Sequence, residues 1–488
     1  MVRATHLPLS VKLLYGLGDM PLTITMVLFG LFTLFFYNSV MGLPASLVGA
    51  AIFLGLVLDA LIDPYIGYRS DIARHRLGRR HIFMLPGALA LGPSFFLLFS
   101  PPRSLRPAGV FAWLMVFWLA VRVSGAVYRI PYLSMGAELG QDYDDRTALF
   151  AVRGLFGLIG TAFAAGLSFL LFFSSNAQAA DPKLSYDAYP RIGALFGGVV
   201  TLTGVAATLA TSRYKTFGAE GAGRDFRQRD FLRSAAASFR NRSFRRIWWS
   251  FVLFFLAVVF NASMAVNYFT WYARTSSGRV MSAIQISFYV GALIGVFLWI
   301  ALARRSEKRT IYMCSVLPLA ALMAGATIFI GDGHLLGTGP AAVLMAGHFA
   351  AGIFASAVWV VPPAMAADVV DQDELETGLR REGVYFGILN LGDKFAAGGA
   401  LLLSGALLNL FAKLSAVAPG SGPHPPADPG LIGVLYGVAP AVILIVAALC
   451  VRSYGLDRAT VRSIQDRLAR RQPAVANSPE PARAEEVL

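Results

Sequence analysis

The chain has 488 residues, of which 56% are hydrophobic and only 14% are charged, whereas roughly a quarter of the residues of a soluble protein are charged. Its formal net charge of +14 would suit a nucleic-acid-binding protein, but the basic residues are concentrated in alternate loops between apolar segments. Composition and charge distribution therefore exclude a soluble enzyme, predict a lipid bilayer as the surrounding solvent, and indicate that nucleic acid is not a partner.

Apolar segments of about 20 residues recur along the chain, and each is long enough to cross a hydrocarbon core of about 30 Å as a helix. Helices are the expected spanning elements because they satisfy their backbone polar groups internally. We predict spans at residues 12–38, 46–68, 81–100, 109–134, 148–174, 191–211, 244–269, 281–302, 311–331, 339–366, 384–411 and 430–453. The predicted fold class is thus an all-α membrane protein with about twelve transmembrane helices.

The first apolar segment is predicted to be a membrane span and not a cleaved signal peptide. It follows a short Met1–Ser10 segment, lacks a small-residue cleavage pattern and is longer than a typical signal core. The two cysteines, Cys314 and Cys450, lie in apolar segments, and neither cysteines nor histidines have the spacing of a metal site. We therefore expect no metal and no cofactor.

Basic residues crowd every second loop. They cluster in residues 69–80, 213–246, 304–309 and 458–471, whereas the intervening loops carry only pairs such as Arg103 and Arg106. Positively charged loops of membrane proteins stay in the cytoplasm. The pattern predicts that both termini are cytoplasmic and that the chain is a multi-pass protein of a bacterial-type inner membrane.

The chain divides into two halves of six spans. We predict an N-terminal half at residues 1–211, a cytoplasmic central loop at 212–243, a C-terminal half at 244–453, and a cytoplasmic tail at 454–488 that is disordered from Pro473 onward. The basic loop after the second span has a fainter counterpart after the eighth. Such halves are typical of repeat-built transporters, and we expect a small-molecule substrate and no obligatory protein partner.

Charged residues inside the predicted spans are the candidate functional groups, because each costs about 3 kcal/mol or more at the centre of a helix in the membrane. Such residues usually face a cavity and an oppositely charged partner. Acids and bases are balanced in this set, so we expect mutual pairing. The set consists of Asp19, Asp59, Asp63, Arg122, Arg129, Arg153, Asp393 and Lys394.

Asp59 and Asp63 are four residues apart and therefore share one face of the second span. Two carboxylates on a desolvated face repel each other unless a cation intervenes, so this pair is suited to bind Na⁺ or to carry a proton. The alternative is a structural pair held by arginines of the fourth span.

Arg122 and Arg129 of the fourth span also share a face, and they either hold these acids or receive an anionic group of a substrate. In the eleventh span, Lys394 and Asn390 lie one turn apart on the same face, which favours a position at a cavity. The alternative for Lys394 is an ion pair with its neighbour Asp393 alone.

Five groups of motifs, in order along nearly the whole chain, resemble the glycoside–pentoside–hexuronide:cation symporters, a family of the major facilitator superfamily. The resemblance implies the major facilitator fold and cation-coupled symport of a sugar, glycoside or sugar acid by alternating access. An animal lysolipid carrier is a relative of that family. The motifs are Tyr15-Gly16-Leu17-Gly18-Asp19; residues 59–67 with Ser70-Asp71 and Gly78-Arg79-Arg80; Ile130-Pro131-Tyr132 with Asp145-Arg146-Thr147; residues 366–371 with 377–387; and Lys394.

The resemblance implies roles for individual residues. Asp59, Asp63 and Lys394 match the family's cation-coupling residues, and Arg153 matches an arginine of the sugar pocket. Thr23 and Arg129 stand where the melibiose carriers of the family have aspartates. The full candidate substrate-binding set is Thr23, Arg122, Arg129, Arg153, Asn390 and Lys394.

Arg129 changes the expected coupling ion. A fixed guanidinium near Asp59 and Asp63 takes the electrostatic place of sodium and weakens sodium binding. We therefore expect H⁺ to be favoured over Na⁺, the alternative being that no ion drives uptake. A proton on Asp63 would then release Arg129 for an anionic substrate.

Two charged loops, one basic and one acidic, are candidate gates. Asp71 with its neighbouring arginines resembles the interdomain latch of this transporter class, and the acids before the eleventh span are placed to contact the basic loops of the first half. The alternative in both cases is a solvated charged loop. The candidate gating residues are Asp71, Arg79, Arg80, Asp368, Asp371, Arg380 and Arg381.

A carrier of lysophospholipid or another amphipathic solute remains an alternative function. An apolar cavity lining would favour it, and aromatic residues of the first and seventh spans are candidates for such a lining. These are Phe35, Phe36, Trp248, Trp249, Phe254 and Phe255.

Overall fold

The computed structural model describes residues 7–73, 75–139, 143–173, 181–213, 238–275, 277–303, 305–378, 381–414 and 428–476, and this part of the chain is a bundle of α-helices. The helices of the first half are α1 (Leu9–Val40), α2 (Ala45–Ile72), α3 (His81–Leu98), α4 (Pro107–Leu139), α5 (Tyr143–Phe172) and α6 (Ala188–Thr211). Those of the second half are α7 (Arg242–Tyr272), α8 (Gly278–Ala303), α9 (Lys308–Ile328), α10 (Ala341–Thr377), α11 (Glu382–Leu414) and α12 (Pro429–Arg452). A further helix, α13 (Arg458–Ala476), follows in the tail.

The predicted all-α membrane architecture is confirmed. Within the described residues, eleven helices are long and apolar enough to cross a membrane, and each predicted span overlaps one of α1 to α12. The remaining span, α2, is a continuous helix of 28 residues. It carries the charged residues Asp59, Asp63 and Arg69 in its second half.

Helix α10 corrects one prediction. The acidic segment before the eleventh span was expected to be a loop, but Asp368 and Asp371 lie on the last turns of α10, which continues to Thr377. The helix ends where Gly378 adopts φ +74°, a left-handed conformation that a glycine adopts without steric cost. The boundary is therefore set by this glycine and not by the loss of hydrophobicity.

Helix α1 contains a break at Gly18 and Asp19, and aromatic residues of α4 hold it. The Tyr132 hydroxyl donates to the Tyr15 carbonyl oxygen at 2.9 Å, and the Tyr128 hydroxyl donates to the Gly18 carbonyl oxygen at 2.9 Å. A Cβ atom on Gly18 would lie 2.7 Å from the Tyr132 ring, so only glycine permits this approach.

The two halves meet backbone to backbone at one end of the bundle. We call the end where α1 begins and α12 terminates the termini-bearing end, and the other the opposite end. At the opposite end α2 crosses α11, where a Cβ atom on Gly49 would lie 2.8 Å from the Leu401 carbonyl oxygen. There α8 also crosses α5, where a Cβ atom on Gly278 would lie 2.3 Å from the Phe169 carbonyl oxygen. Glycines thus close the interface between the halves at this end.

The first helix of each half ends at this closed end in the same way. Helix α1 terminates in a π-helical turn, Phe36–Val40, and α7 terminates in another, Tyr268–Tyr272. Single π-helical turns are rare and often occur at functional sites. The two turns thus occupy equivalent positions in the two predicted halves.

The tail helix α13 packs on α10 and was not predicted from the sequence. The Gln465 side chain donates to Asp371 at 3.2 Å, and Arg458 donates to the Ala303 carbonyl oxygen at 3.1 Å. Helix α13 extends past Pro473, where the sequence predicts disorder, and residues 477–488 lie outside the described part. The predicted central loop lies between α6 and α7, and its residues 214–237 also lie outside the described part.

Candidate functional site

Five charged side chains from three helices meet inside the bundle. Helix α2 supplies Asp59 and Asp63, α4 supplies Arg122 and Arg129, and α11 supplies Lys394. We call these five residues the central charge cluster. Because α2 and α4 belong to the first half and α11 to the second, the cluster lies between the halves.

Each carboxylate of the cluster is held by more than one cation. Arg122 donates to Asp59 Oδ2, and Arg129 Nη2 lies 2.6 Å from Asp63 Oδ2 and 3.6 Å from Asp59 Oδ2. Lys394 Nζ lies 2.9 Å from Asp59 Oδ2 and also donates to Asp63 Oδ2. The expected pairing of the acids with the arginines is therefore present, and Lys394 pairs with α2 rather than with Asp393 alone.

The cluster is shielded from solvent. Asp59 is 1% exposed, and the side chains of Arg122, Arg129 and Lys394 are 23%, 28% and 17% exposed. Charges in so little solvent interact strongly, and removing one partner of a buried pair typically costs about 3–5 kcal/mol. The cluster therefore ties the two halves together, and removal of any one member should destabilise the protein.

Trp118 lies beside Arg122 of α4, and sequence reasoning missed it. Its indole nitrogen donates to the Ile52 carbonyl oxygen at 3.2 Å, and its ring stacks on Phe29 with centroids 3.6 Å apart. The Arg122 guanidinium carbon lies 5.2 Å from the Trp118 ring centroid. A Cβ atom on Gly55 would lie 2.0 Å from the indole nitrogen, so this glycine makes room for the ring. The sequence contains a signal that could have identified this residue, namely a tryptophan one helical turn before an intramembrane arginine.

A second ion pair joins α1 and α5 within the first half. Arg153 Nε lies 3.2 Å from Asp19 Oδ1. Gly157 of α5 faces this acid, since a Cβ atom there would lie 2.5 Å from Asp19 Oδ2. Thr23 bonds to carbonyl oxygens of its own helix at 3.3 Å and faces Gly160 of α5. Two candidate substrate-binding residues, Thr23 and Arg153, thus share the α1–α5 interface and not the central charge cluster.

The candidate gating residues form two separate sets of contacts, one in each half of the chain. Arg80 of the first half is buried and donates to Ser70 Oγ at 2.7 Å, and Arg79 lies beside it in the turn before α3. In the second half, Lys308 lies 2.7 Å from both Asp368 oxygens, and Arg381 pairs with Asp373 at 2.5 Å. The side chains of Asp71 and Asn390, and all of Arg380, lie outside the described part.

Arg381 is fixed at the beginning of α11. Its Nε and Nη2 atoms donate to the two carboxylate oxygens of Asp373 at 2.8 and 2.5 Å. These hydrogen bonds raise the pKa of the Arg381 guanidinium above its usual value. Such a bidentate pair ties the beginning of α11 to the last turns of α10.

The aromatic residues considered for an apolar lining lie mostly in the core. Phe35, Phe36 and Phe254 are buried, Trp248 donates to the Ile388 carbonyl oxygen at 3.0 Å, and Trp249 is exposed. The buried phenylalanines belong to the hydrophobic core, which is the ordinary role of aromatic residues in a helix bundle.

Comparison with known proteins identifies relatives of nearly full length. Residues 14–458 match the family described as "MFS/sugar transport protein". The chain is 27% identical to an uncharacterized symporter, sll1374, of Synechocystis, over 96% of this chain and 98% of that protein. It is 22% identical to an isoprimeverose transporter of Lactiplantibacillus pentosus (84% and 82% covered) and 24% identical to the mouse sphingosine-1-phosphate transporter MFSD2B (82% and 81% covered).

A solved structure shares the fold. A D-xylose-proton symporter superposes with a TM-score of 0.63 at 13% identity, covering 92% of this chain and 98% of that one. At this identity the likeness concerns the fold alone. The arrangement of helices α1 to α12 is therefore that of a known class of membrane proteins.

Proposed function

Because the chain belongs to the MFS/sugar transport family, we propose that it is a proton-coupled symporter that imports a sugar, glycoside or sugar acid by alternating access, and that it is not an enzyme. The single observation that carries the proposal is the bridge from Lys394 of α11 to Asp59 and Asp63 of α2. This bridge is a set of buried charges between the halves, where a transporter of this architecture binds its substrate and coupling ion.

The bridge suits alternating access because it joins parts that must move. Rocking of the halves changes the position of α11 relative to α2, and the contacts of Lys394 must change with it. By the positive-inside asymmetry, the termini-bearing end is cytoplasmic. The glycine contacts at the opposite end then close the outer side of the protein in this conformation, with both termini inside the bacterial inner membrane.

The charge of the cluster favours H⁺ over Na⁺. Three cations, Arg122, Arg129 and Lys394, already surround the two carboxylates. A sodium ion would enter a site without unbalanced negative charge, and the guanidinium of Arg129 occupies oxygen lone pairs that the ion requires. A proton needs only one carboxylate oxygen.

A sugar acid, a glycoside or a neutral sugar is the proposed substrate class. The family description and the isoprimeverose transporter support a carbohydrate, and the arginines of α4 and α5 suit an anionic group. The second candidate is a lysophospholipid or related amphipathic solute. The similarity to a sphingosine-1-phosphate transporter over 82% of the chain favours it.

Substrate-driven ion flux in proteoliposomes tests the proposal. Purified protein is reconstituted with an external pH indicator and given neutral sugars, glycosides, uronic acids and lysolipids, each with and without sodium. Alkalinisation of the medium by a carbohydrate, unchanged by sodium, is the expected result. A sodium-dependent response would overturn the choice of ion, and a response to lysolipids alone would establish the second candidate.

A further inference from the structure

Asp393, the residue before Lys394 on α11, carries a buried oxygen atom without a partner. Among the described residues, its Oδ1 atom accepts no hydrogen bond, and no ion pair to the Asp393 carboxylate is found there. Lys394 reaches Asp59 and Asp63 of α2, whereas Asp393, which points about 100° away from it around the helix, makes no described ion pair with α2. A buried unpaired carboxylate is costly when ionised, and such groups in membrane spans usually carry a function.

The charges that act on Asp393 are those of the central charge cluster. They come from Arg129, Lys394 and Arg122. The cluster itself contains three cations and two carboxylates, so it has one positive charge in excess. Ionised Asp393 balances that excess, and protonated Asp393 leaves it unbalanced.

Asp59 and Asp63 are poor sites for the coupling proton. Asp59 contacts all three cations, and Asp63 contacts Arg129 and Lys394. Protonation of either acid would weaken at least two ion pairs at once. Protonation of Asp393 breaks no described ion pair, so it is the carboxylate of this region that takes up a proton at the lowest cost.

The other helices packed against α11 offer no competing acid at this level. Helix α7 places the neutral residues Trp248 and Val252 against Gly392, and its arginines lie in its first turns. His348 of α10 and the hydroxyl group of Tyr436 of α12 are hydrogen-bonded to each other at 3.2 Å. The remaining charged groups of these elements lie at the termini-bearing end: Arg242, Arg245, Arg246, Asp368, Asp371, Asp373, Glu374, Glu376 and Arg452.

We infer that Asp393 binds the coupling proton, and that the positive charge uncovered by its protonation receives the carboxylate of a monoanionic sugar acid. The inference rests on the proposed function and names the proton carrier and the substrate class within it. The step is an acid–base reaction in which one carboxylate oxygen gains a proton. In the empty site three cations face three carboxylates. In the loaded site the substrate carboxylate replaces that of Asp393.

Both forms of the site are therefore electrically neutral, and a neutral site within a low-dielectric membrane costs less than a charged one. One proton accompanies one monoanion, so net transport moves no charge. Uptake of a uronic acid should then respond to a pH gradient but not to an imposed membrane potential.

The test compares Asp393→Asn with wild type in proteoliposomes, using a uronic acid as the probe. We expect Asp393→Asn to lose substrate-driven proton flux and accumulation while retaining exchange of labelled for unlabelled substrate. Asp393→Glu should restore proton flux. The matched control is Asp332→Asn, which alters an exposed aspartate and should behave as wild type.

Proton flux in Asp393→Asn equal to that of wild type would overturn the inference. If Asp393→Asn does not fold, the wild type still decides, because stimulation of uronate uptake by an inside-negative potential would contradict electroneutral transport. Absence of any carbohydrate-driven proton flux in wild type would instead refute the proposed function, so the two failures are distinguishable.

Discussion

Lys394 Nζ of α11 lies 2.9 Å from Asp59 Oδ2 of α2, so a lysine of the second half is bound to an aspartate of the first. The same ammonium group donates to Asp63, one turn further along α2. This contact joins the two halves within a set of charges that the membrane would otherwise disfavour. Under the proposed function, the stability of the protein and its transport cycle therefore depend on the same residues.

Lys394→Gln is expected to abolish substrate accumulation and to lower thermal stability, because it removes the cation that joins the halves. Loss of one partner from a buried pair corresponds to about 3–5 kcal/mol. Uptake in proteoliposomes and a thermal unfolding scan in detergent measure the two effects. Arg103→Gln is the matched control, since it breaks an ion pair on an exposed loop. Equal thermal midpoints for the two variants would contradict the structural importance of Lys394.

Asp59 and Arg122 are expected to show strong energetic coupling. Asp59→Asn leaves Arg122 without its carboxylate, and Arg122→Gln leaves Asp59 with one cation fewer. The double variant should be destabilised by less than the sum of the single variants, with a coupling free energy of about 0.5–3 kcal/mol. Thermal unfolding of the four proteins completes the cycle. Additive effects would mean that the pair contributes nothing of its own.

Arg129→Asp is expected to make uptake dependent on sodium. The substitution removes a fixed cation from beside Asp59 and Asp63 and adds carboxylate oxygens that suit a sodium ion. Uptake measured across a range of sodium concentrations checks this expectation. Arg129→Asn is the control, because it removes the cation without adding a carboxylate. Sodium-independent uptake by Arg129→Asp would show that Arg129 does not determine the coupling ion.

Lys183 is expected to hold the opposite end of the bundle closed. It is fully buried in the loop between α5 and α6, where its Nζ donates to the Thr275 carbonyl oxygen at 2.8 Å and pairs with Asp181 at 2.7 Å. Lys183→Met removes the hydrogen bond between loops of the two halves. The variant should populate the conformation that is open at this end.

A cysteine at position 267 reports this opening. Asn267 is fully buried and its amide atoms have no hydrogen-bond partner among the described residues, so opening should expose them to water. Asn267→Cys, with Cys314 and Cys450 replaced by Ala, should react faster with a membrane-impermeant maleimide when Lys183→Met is present. Unchanged labelling would refute the role of Lys183.

Gly278→Ala is expected to open the same end by a steric route. A Cβ atom there would lie 2.3 and 2.5 Å from the carbonyl oxygens of Phe169 and Phe173, and these backbone atoms cannot move aside independently. The variant should lower thermal stability and increase labelling at position 267. Gly30→Ala is the matched control, since no atom lies within 4 Å of its Cβ position. Similar behaviour of both variants would exclude close packing as the cause.

Much of the architecture could be predicted from the sequence because it depends on local properties. The length and hydropathy of each segment predicted helices α1 to α12. The cost of charge in a membrane identified Asp59, Asp63, Arg122, Arg129 and Lys394 before their contacts were known. Periodicity along α2 and α4 even predicted which of these residues share a face.

Other features depend on how distant segments pack, and only the tertiary structure decided them. Hydropathy could not choose between Asp393 and the acids of α2 as partners of Lys394, because that choice depends on how α11 crosses α2. Lys183 is in a polar loop and would be expected in solvent, but contact with the other half buries it. The extension of α10 to Gly378 and the docking of α13 were missed because their charged residues are stabilised by tertiary ion pairs and hydrogen bonds. Sequence thus determined which groups the membrane must accommodate, whereas packing between the halves decided which of them pair and which, like Asp393, have no ion-pair partner among the described residues.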